Sequence, residues 1–294
     1  WSVPAGGLAG WMWLSRQPLS GTTAHALAAK QEPGWQHLST ADGDLPMPSG
    51  SPQQVLTLIV DVDRDGRNDF VIGARRTPGP ALVWYHRLAT GWERQVIETD
   101  ALQLEAGGAT YDIDGDGDLD VVAGSNNQTN QIWWWENPYP DYSGQWTRRY
   151  IKNDGANKHH DMMFGNFDAD PESEFVAWNQ GAAQLTITDI PTDPHATQPW
   201  PGTSVVWNAP NAAYEGLAQA DMNGDGQLDI LGGGRWFEYT GSGFTAHVIE
   251  DDTLTRMVVA QFIPGGWPEV VQVPGDADGP ARWFEWDGAQ WLGH

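Results

Sequence analysis

The sequence has no cysteine, very little lysine and no long apolar run. Without cysteine no disulfide can stabilise the chain, and its redox compartment cannot be read from them. No run approaches the ~20 apolar residues that span a bilayer, so no membrane span is expected. Basic residues are outnumbered 39 to 15, for a formal charge of -24. Such a chain repels nucleic acid and anionic membranes, which excludes both as partners. The chain starts at Trp1, without Met and without a signal peptide, and is expected to be processed or an excerpt. What is abundant is glycine, with 35 residues, and tryptophan, with 18. Disordered chains lack aromatics, so this composition belongs to a folded protein. A chain of 294 residues can bury one large core or two medium ones.

One acidic stretch organises the rest. In Asp112-Ile-Asp114-Gly-Asp116-Gly-Asp118-Leu-Asp120, oxygen side chains fall at relative positions 1, 3, 5 and 9, and glycine at position 6 permits a sharp turn. Alternate residues of such a loop point inward and can surround Ca²⁺, which takes six to eight oxygens at about 2.3–2.6 Å. Asp112, Asp114, Asp116 and Asp120 supply side chains, and Asp118 its carbonyl. An EF-hand would carry Glu at position 12, where this chain has Ala123, and its flanks would be helical. Here the flanks read GGATY and LDVVAG, so the loop joins two strands. The frame recurs at Asp61, Asp63, Asp65 and Asp69, and at Asp221, Asn223, Asp225 and Asp229. A weaker copy holds Asn166, Asp168, Asp170 and Glu174, with Pro171 in place of the glycine. Gln261 to Glu269 keeps the frame without the ligands. Two to four Ca²⁺ sites are expected.

Two further signals keep step with the loops. An aromatic opening a short alternating strand appears at Trp35, Trp92, Trp146, Phe244 and Trp291, with Trp200 less clear. Between loop and aromatic lie Val83-Trp84-Tyr85, Ile132-Trp133-Trp134-Trp135-Glu136, Arg235-Trp236-Phe237-Glu238 and Arg282-Trp283-Phe284-Glu285. The third unit has Gln184-Leu-Thr-Ile-Thr188 instead. Each unit reads as four short strands; in the second they fall near 106–111, 120–124, 131–136 and 146–151. Four strands per period of roughly 40–57 residues is the signature of a propeller blade. The predicted fold is all-β, a β-propeller of at least five four-stranded blades over 35–294. Residues 1–34 form an N-terminal extension with a short helix. Trp133, Trp134 and Trp135 are expected to pack between blades.

DxDxDGxxDxVxG followed by a Trp-rich strand resembles the FG-GAP and VCBS repeats of integrin α-chain propellers, fungal propeller lectins and many secreted bacterial proteins. The resemblance covers about residues 35–294. It implies Ca²⁺ between the first and second strands of each blade, and seven blades as the common number. This chain departs in blade number, with five loop frames. Either closing blades are missing or the ring closes with fewer.

The segments leading into the innermost strands should crowd round the axis, opposite the metal loops. Glu105, His159, His160, Asp161, Tyr214, Glu215 and Arg256 all lie five to seven residues before a loop frame, with Gln53 and Gln54 in the first unit. Two histidines with carboxylates suit a transition metal, and the same set suits acid–base work beside a sugar. Polar groups lining a hydrated channel are the alternative. Adjacent strand residues face opposite ways, so only one of His159 and His160 should reach the axis. His25, His37, His86, His195, His247 and His294 are scattered, and structural or surface roles are expected. Asn127-Gln128-Thr129 matches a glycosylation sequon in a turn.

Three functions compete. The first is a secreted or cell-surface, Ca²⁺-stabilised module recognising a glycan or an extracellular protein, since millimolar Ca²⁺ outside the cell suits such loops. The second is a carbohydrate-active lyase or dehydratase with a metal or acid–base cluster at the axis. The third is a structural subunit of an extracellular assembly, which leaves self-assembly open.

Overall fold

β-Branched and aromatic side chains dominate the segments flanking each acidic loop, and these favour extended backbone. In the computed structural model, which describes residues 36–294 except 77, 169, 213, 252–254 and 276–277, they form twenty strands. Blade one holds β1 (Gln53–Val60), β2 (Asp69–Arg75), β3 (Leu82–Arg87) and β4 (Trp92–Glu98). Blade two holds β5 (Leu104–Tyr111), β6 (Asp120–Ser125), β7 (Ile132–Glu136) and β8 (Thr147–Lys152). Blade three holds β9 (His159–Gly165), β10 (Glu174–Asn179), β11 (Gln184–Asp189) and β12 (Ser204–Asn208). Blade four holds β13 (Ala218–Ala220), β14 (Asp229–Gly232), β15 (Arg235–Tyr239) and β16 (Phe244–Val248). Blade five holds β17 (Thr255–Ala260), β18 (Glu269–Pro274), β19 (Arg282–Trp286) and β20 (Trp291–Gly293).

Each blade is a four-stranded antiparallel sheet in chain order, and no helix occurs among the described residues. This is the expected all-β architecture of four-stranded blades, five in number. The first strand of each blade is innermost: β1 packs on β5, β5 on β9, and β13 on β17. The extension and its helix lie outside the described residues, as does Trp35. Gln36 to Leu38 form no strand, so the first outer-strand signal is not a blade strand. Trp200 is not in a strand either. Pro199 and Pro201 flank it and deny the ladder two amide donors, and β12 starts after it. Its ring instead meets Phe175 edge-on at 6.1 Å in the core between blades two and three.

The core lies between blades. Along β7, alternation sends Trp133 and Trp135 into the interface with blade one and Trp134 into that with blade three. The second residue of each loop plugs the interface with the next blade: Val62, Ile113, Phe167 and Met222 are all buried. The equivalent in blade five, Phe262, is 55% exposed. β17 packs on β13 and β14, and blade five makes no comparable contact with blade one. The ring of described blades is open, and Val258 of β17 with Phe262 and Ile263 of the loop that follows it are exposed on blade five.

Candidate metal loops and axial cluster

The acidic loops share one geometry. The carboxylate at position 1 accepts the amide of the glycine at position 6: Gly66 N to Asp61 Oδ2 is 2.9 Å, Gly117 N to Asp112 Oδ2 is 3.1 Å, and Gly226 N to Asp221 Oδ2 is 3.0 Å. These glycines sit at φ of 83°, 94° and 91°, the left-handed region that side chains resist. Position 9 is a keystone. Asp120 Oδ2 accepts Ile113 N at 3.1 Å and its Oδ1 accepts Asn137 N at 2.8 Å, which ties the loop to β6 and the end of β7. Asp69 does the same with Arg87 N at 2.7 Å and adds the Trp84 indole at 2.8 Å. Glu174 and Asp229 accept Phe167 N and Met222 N at 2.7 and 2.8 Å.

These carboxylates hold more negative charge than the protein neutralises. Burial, then the amide bonds working against it, and then Asp114 and Asp118, leave Asp120 pushed up to about 8. Burial together with Asp116, Asp114 and Asp112 raises Asp118 to about 7, with Arg64 opposing. Burial raises Glu174 and Asp229 to about 7, with acidic neighbours in their own loops adding to it. Such repulsion is what a bound cation relieves. In the second loop Asp112 Oδ1 is buried without a hydrogen-bond partner, and oxygens of Asp112, Asp114 and Asp116 lie within 4.8 Å of one another. All-oxygen donors fit Ca²⁺. Asp118 was expected to offer its carbonyl alone. Its side chain is in fact buried, at 3% exposure, among the acids.

The third loop differs for a local reason. Pro171 has no amide to give position 1, and Asn166 instead turns its Nδ2 to the Asp170 carbonyl at 2.7 Å. The fifth loop goes further. Gln261 Nε2 donates to the carbonyls of Ile263 and Gly265 at 2.5 and 3.1 Å, so an amide fills the loop. Glu269 still accepts Phe262 N and Ile263 N at 2.6 and 3.1 Å.

Sequence reasoning missed a set of residues outside the loops. His86, Glu136, Asp189 and Glu238 occupy equivalent ends of the third strands. His86 Nε2 lies 2.8 Å from Asp63, and Glu238 Oε1 accepts Asn223 Nδ2 at 3.2 Å. Asp189 is raised by burial and by Asp168 and Asp170. His195, from blade three, reaches Asp114 at 3.1 Å and Glu136 at 3.6 Å in blade two. The recurring glutamate in WWWE, RWFE and RWFE was the available signal.

The axial residues gather in part. His160 places Nδ1 2.7 Å from Asp161 Oδ2 and Nε2 3.1 Å from Glu215 Oε2. Arg256 pairs with Asp161 and lies 3.9 Å from Glu215. The Gly216 amide donates to Asp161 Oδ2 at 2.8 Å. Blades three, four and five meet here. Burial pushes the Asp161 carboxyl up, but His160, Arg256 and the Gly216 amide outweigh it and hold it below the usual range. A β-bulge explains why two successive side chains reach one cluster. Met162 pairs with Ala177 and His160 with Trp178, so Asp161 is the extra residue, at φ 38°. A bulge re-aims a side chain that strict alternation sends away.

Four of the expected residues have other partners. His159 faces the interface of blades two and three, its Nε2 3.2 Å from the Asn130 carbonyl. Glu105 is held by Arg75 of β2. Tyr214 stacks on Trp178 at 6.0 Å instead of facing the cluster, and Gln54 Nε2 caps the Ser51 carbonyl at 3.1 Å. A transition metal suits the cluster poorly. His160, Asp161 and Glu215 have the right atoms, but each already has a protein partner and Arg256 brings a competing positive charge.

No family model matches the chain, and no curated protein matches it. Among solved structures it is similar to the V. cholerae biofilm matrix protein Bap1, at 16% identity and a TM-score of 0.46 over 76% of this chain and 35% of that one. It is also similar to the exotype rhamnogalacturonan lyase YesX, at 17% identity and a TM-score of 0.44 over 78% of this chain and 47% of that one. The chain therefore spans less than half the length of either. No helix among the described residues is long and apolar enough to cross a membrane.

Proposed function

We propose that this chain is a Ca²⁺-binding β-propeller that recognises an extracellular glycan or protein and does no chemistry at its axis. The observation that carries this reading is a contrast between two acidic sites. In the axial cluster every carboxylate has a cationic partner, and His160, Asp161 and Glu215 are buried at 5%, 8% and 1% exposure. A general acid or base must reach the substrate proton within hydrogen-bond distance, and both nitrogens of His160 are already engaged. The loops gather more carboxylates than cations: His86 lies beside Asp63, Arg67 beside Asp65 and His195 beside Asp114, and the acids around them still gain most from a bound cation. Asp61, Asp63 and Asp69, Asp112, Asp114 and Asp116, and Asp221, Asn223 and Asp225 would hold it. The ion would supply charge neutralisation and fix the loops that join the first two strands of each blade. Asp120 and Asp229 would act both in the loop and in its backbone scaffold.

Calorimetry with Ca²⁺, thermal melting with and without chelator, and assays for glycan binding and polysaccharide cleavage test the reading together. Ca²⁺ bound only by the folded state adds about 2.7 kcal/mol per site at a hundredfold excess over Kd, so chelator should lower the melting temperature. A melting temperature indifferent to chelator sinks the calcium part. Cleavage that disappears in a folded His160→Ala variant sinks the recognition part in favour of catalysis.

A further inference from the structure

The third strand usually turns large side chains toward the preceding blade. Blade two presents Trp133 and Trp135, blade four Phe237 and blade five Phe284. Their registers make Thr186 and Thr188 the equivalents in blade three: Ala177 pairs with Thr186 as Ala123 pairs with Trp133, and Phe175 with Thr188 as Val121 with Trp135. β11 accordingly adds no side chain to the apolar core it shares with blade two. Trp200 restores part of that core. The rest remains a cleft of about 250 Å³ between blades two and three.

The walls of this cleft have a definite chemistry. Thr186, Thr188, Thr203 and Gln184 line one side, and Ile151 and Phe175 form an apolar floor. Thr186 Oγ1 donates to the Ala177 carbonyl, Thr188 Oγ1 to Thr203 Oγ1 and Gln184 Nε2 to Asn208 Oδ1, so this wall meets a ligand chiefly with acceptor oxygens. His159 lies at the inner end, 1% exposed, and its Nδ1 has no hydrogen-bond partner. Its Nε2 faces the Asn130 carbonyl, which only accepts, so Nε2 carries the hydrogen and Nδ1 is a bare acceptor. A buried acceptor in want of a donor is costly unless a ligand or water supplies one. The nearby cation is not available to an anion, because Lys152 Nζ already donates to the carbonyls of Asn130, Asp154 and Ala156. Many hydroxyl partners, an apolar floor and no free charge describe a site for a neutral polyol. The volume is below the ~300–1,000 Å³ of pockets for drug-sized ligands and suits a single ring.

We propose that this cleft binds a neutral sugar ring, one monosaccharide unit of a glycan. The inference rests on the recognition reading and places its site between blades, away from the axis. The ring's C–H face would lie on Phe175 and Ile151, and its hydroxyls would meet Thr186, Thr188 and Thr203.

The test is saturation-transfer NMR and calorimetry on the full chain with Ca²⁺. The probes are free glucose, galactose, mannose, fucose and N-acetylglucosamine, with the corresponding uronic acids as charged controls. At least one neutral sugar should bind, and no uronic acid should bind more tightly. Thr186→Trp refills the cleft as Trp133 does in blade two, and should weaken binding about tenfold or more, a loss of ~1.4 kcal/mol, while the melting temperature holds or rises. Should that variant misfold, Thr203→Val removes a rim hydroxyl at constant shape and should weaken binding by a similar factor. Absence of binding by every neutral sugar overturns the inference. Glycan binding unchanged in the folded variants also overturns it, yet leaves recognition standing with its site elsewhere.

Discussion

His159 and His160 are neighbours in the chain with opposite surroundings. His160 lies between two carboxylates at the axis, and His159 among apolar groups between blades. Replacing His160 by Leu leaves Asp161 and Glu215 buried with one hydrogen-bonding partner fewer. Breaking a buried pair typically costs roughly 3–5 kcal/mol, and urea unfolding should show a loss of that order. A loss under about 1 kcal/mol would mean that water already screens the cluster. His159 is held down to about 3, by burial first and Lys152 second. Its folded value lies below the unfolded 6.5, so the folded state binds fewer protons. Stability from this residue is present above pH 6.5 and is lost as pH falls below it, by about 1.4 kcal/mol per unit. In Ca²⁺-loaded protein, stability between pH 6.5 and 5 should fall more steeply in wild type than in His159→Leu. Equal slopes would contradict the burial of a neutral ring. The offsets in the sequence placed His160, Glu215 and Arg256 at one height. They placed Asp161 there too, but could not reveal the bulge that lets it and His160 face the same way, because a bulge is a property of pairing with β10.

At the scale of the loop, the fourfold repeat was legible because ligand spacing and strand alternation are both local. The separate role of position 9 was not, because it depends on which amides the folded loop and the end of the third strand turn toward it. Asp225→Ala and Asp229→Ala should separate metal binding from scaffolding. Both should lose Ca²⁺ at the fourth loop by calorimetry. In chelator, Asp225→Ala should melt like wild type, whereas Asp229→Ala strands the Met222 amide and should cost about 1–3 kcal/mol. Identical melting of the two variants in chelator would remove the keystone role. The acid–base sign of the loops is opposite to that of His159. Asp118, Glu174 and Asp229 at about 7 and Asp120 at about 8 lie above the ordinary carboxylate values of 3.8 for Asp and 4.5 for Glu. Metal-free folded protein thus binds more protons than unfolded chain in that window, and loses stability as pH rises from 5 to 8. Thermal melting in chelator should show this decline, and added Ca²⁺ should restore most at pH 8. A flat or rising apo profile would contradict the charge crowding.

For the whole molecule, each blade leans on its sequence neighbours, and blade five leans on one side only. Stability in such arrays is a sum of units and nearest-neighbour interfaces. Phe284→Ala should therefore loosen blade five alone. Amide exchange should quicken in β17 to β20 while β5 to β11 keep their protection. Loss of protection in every blade at once would show a single cooperative unit. The five described blades were readable from the loop frames as a minimum of five. The exposed flank of blade five was not, since Phe262 has the same character as Phe167 and only its position beside no other described blade sets it apart.

The Gln261 amide filling the fifth loop makes blade five its own internal reference. Its backbone holds the same turn, closed by Glu269, with a neutral side chain where the other blades gather acids. In a Ca²⁺ titration followed by amide resonances, Gly66, Gly117 and Gly226 should shift as their sites fill. Gly266, in the same frame, should keep its frequency and give the baseline against which site-by-site occupancy is measured within one spectrum.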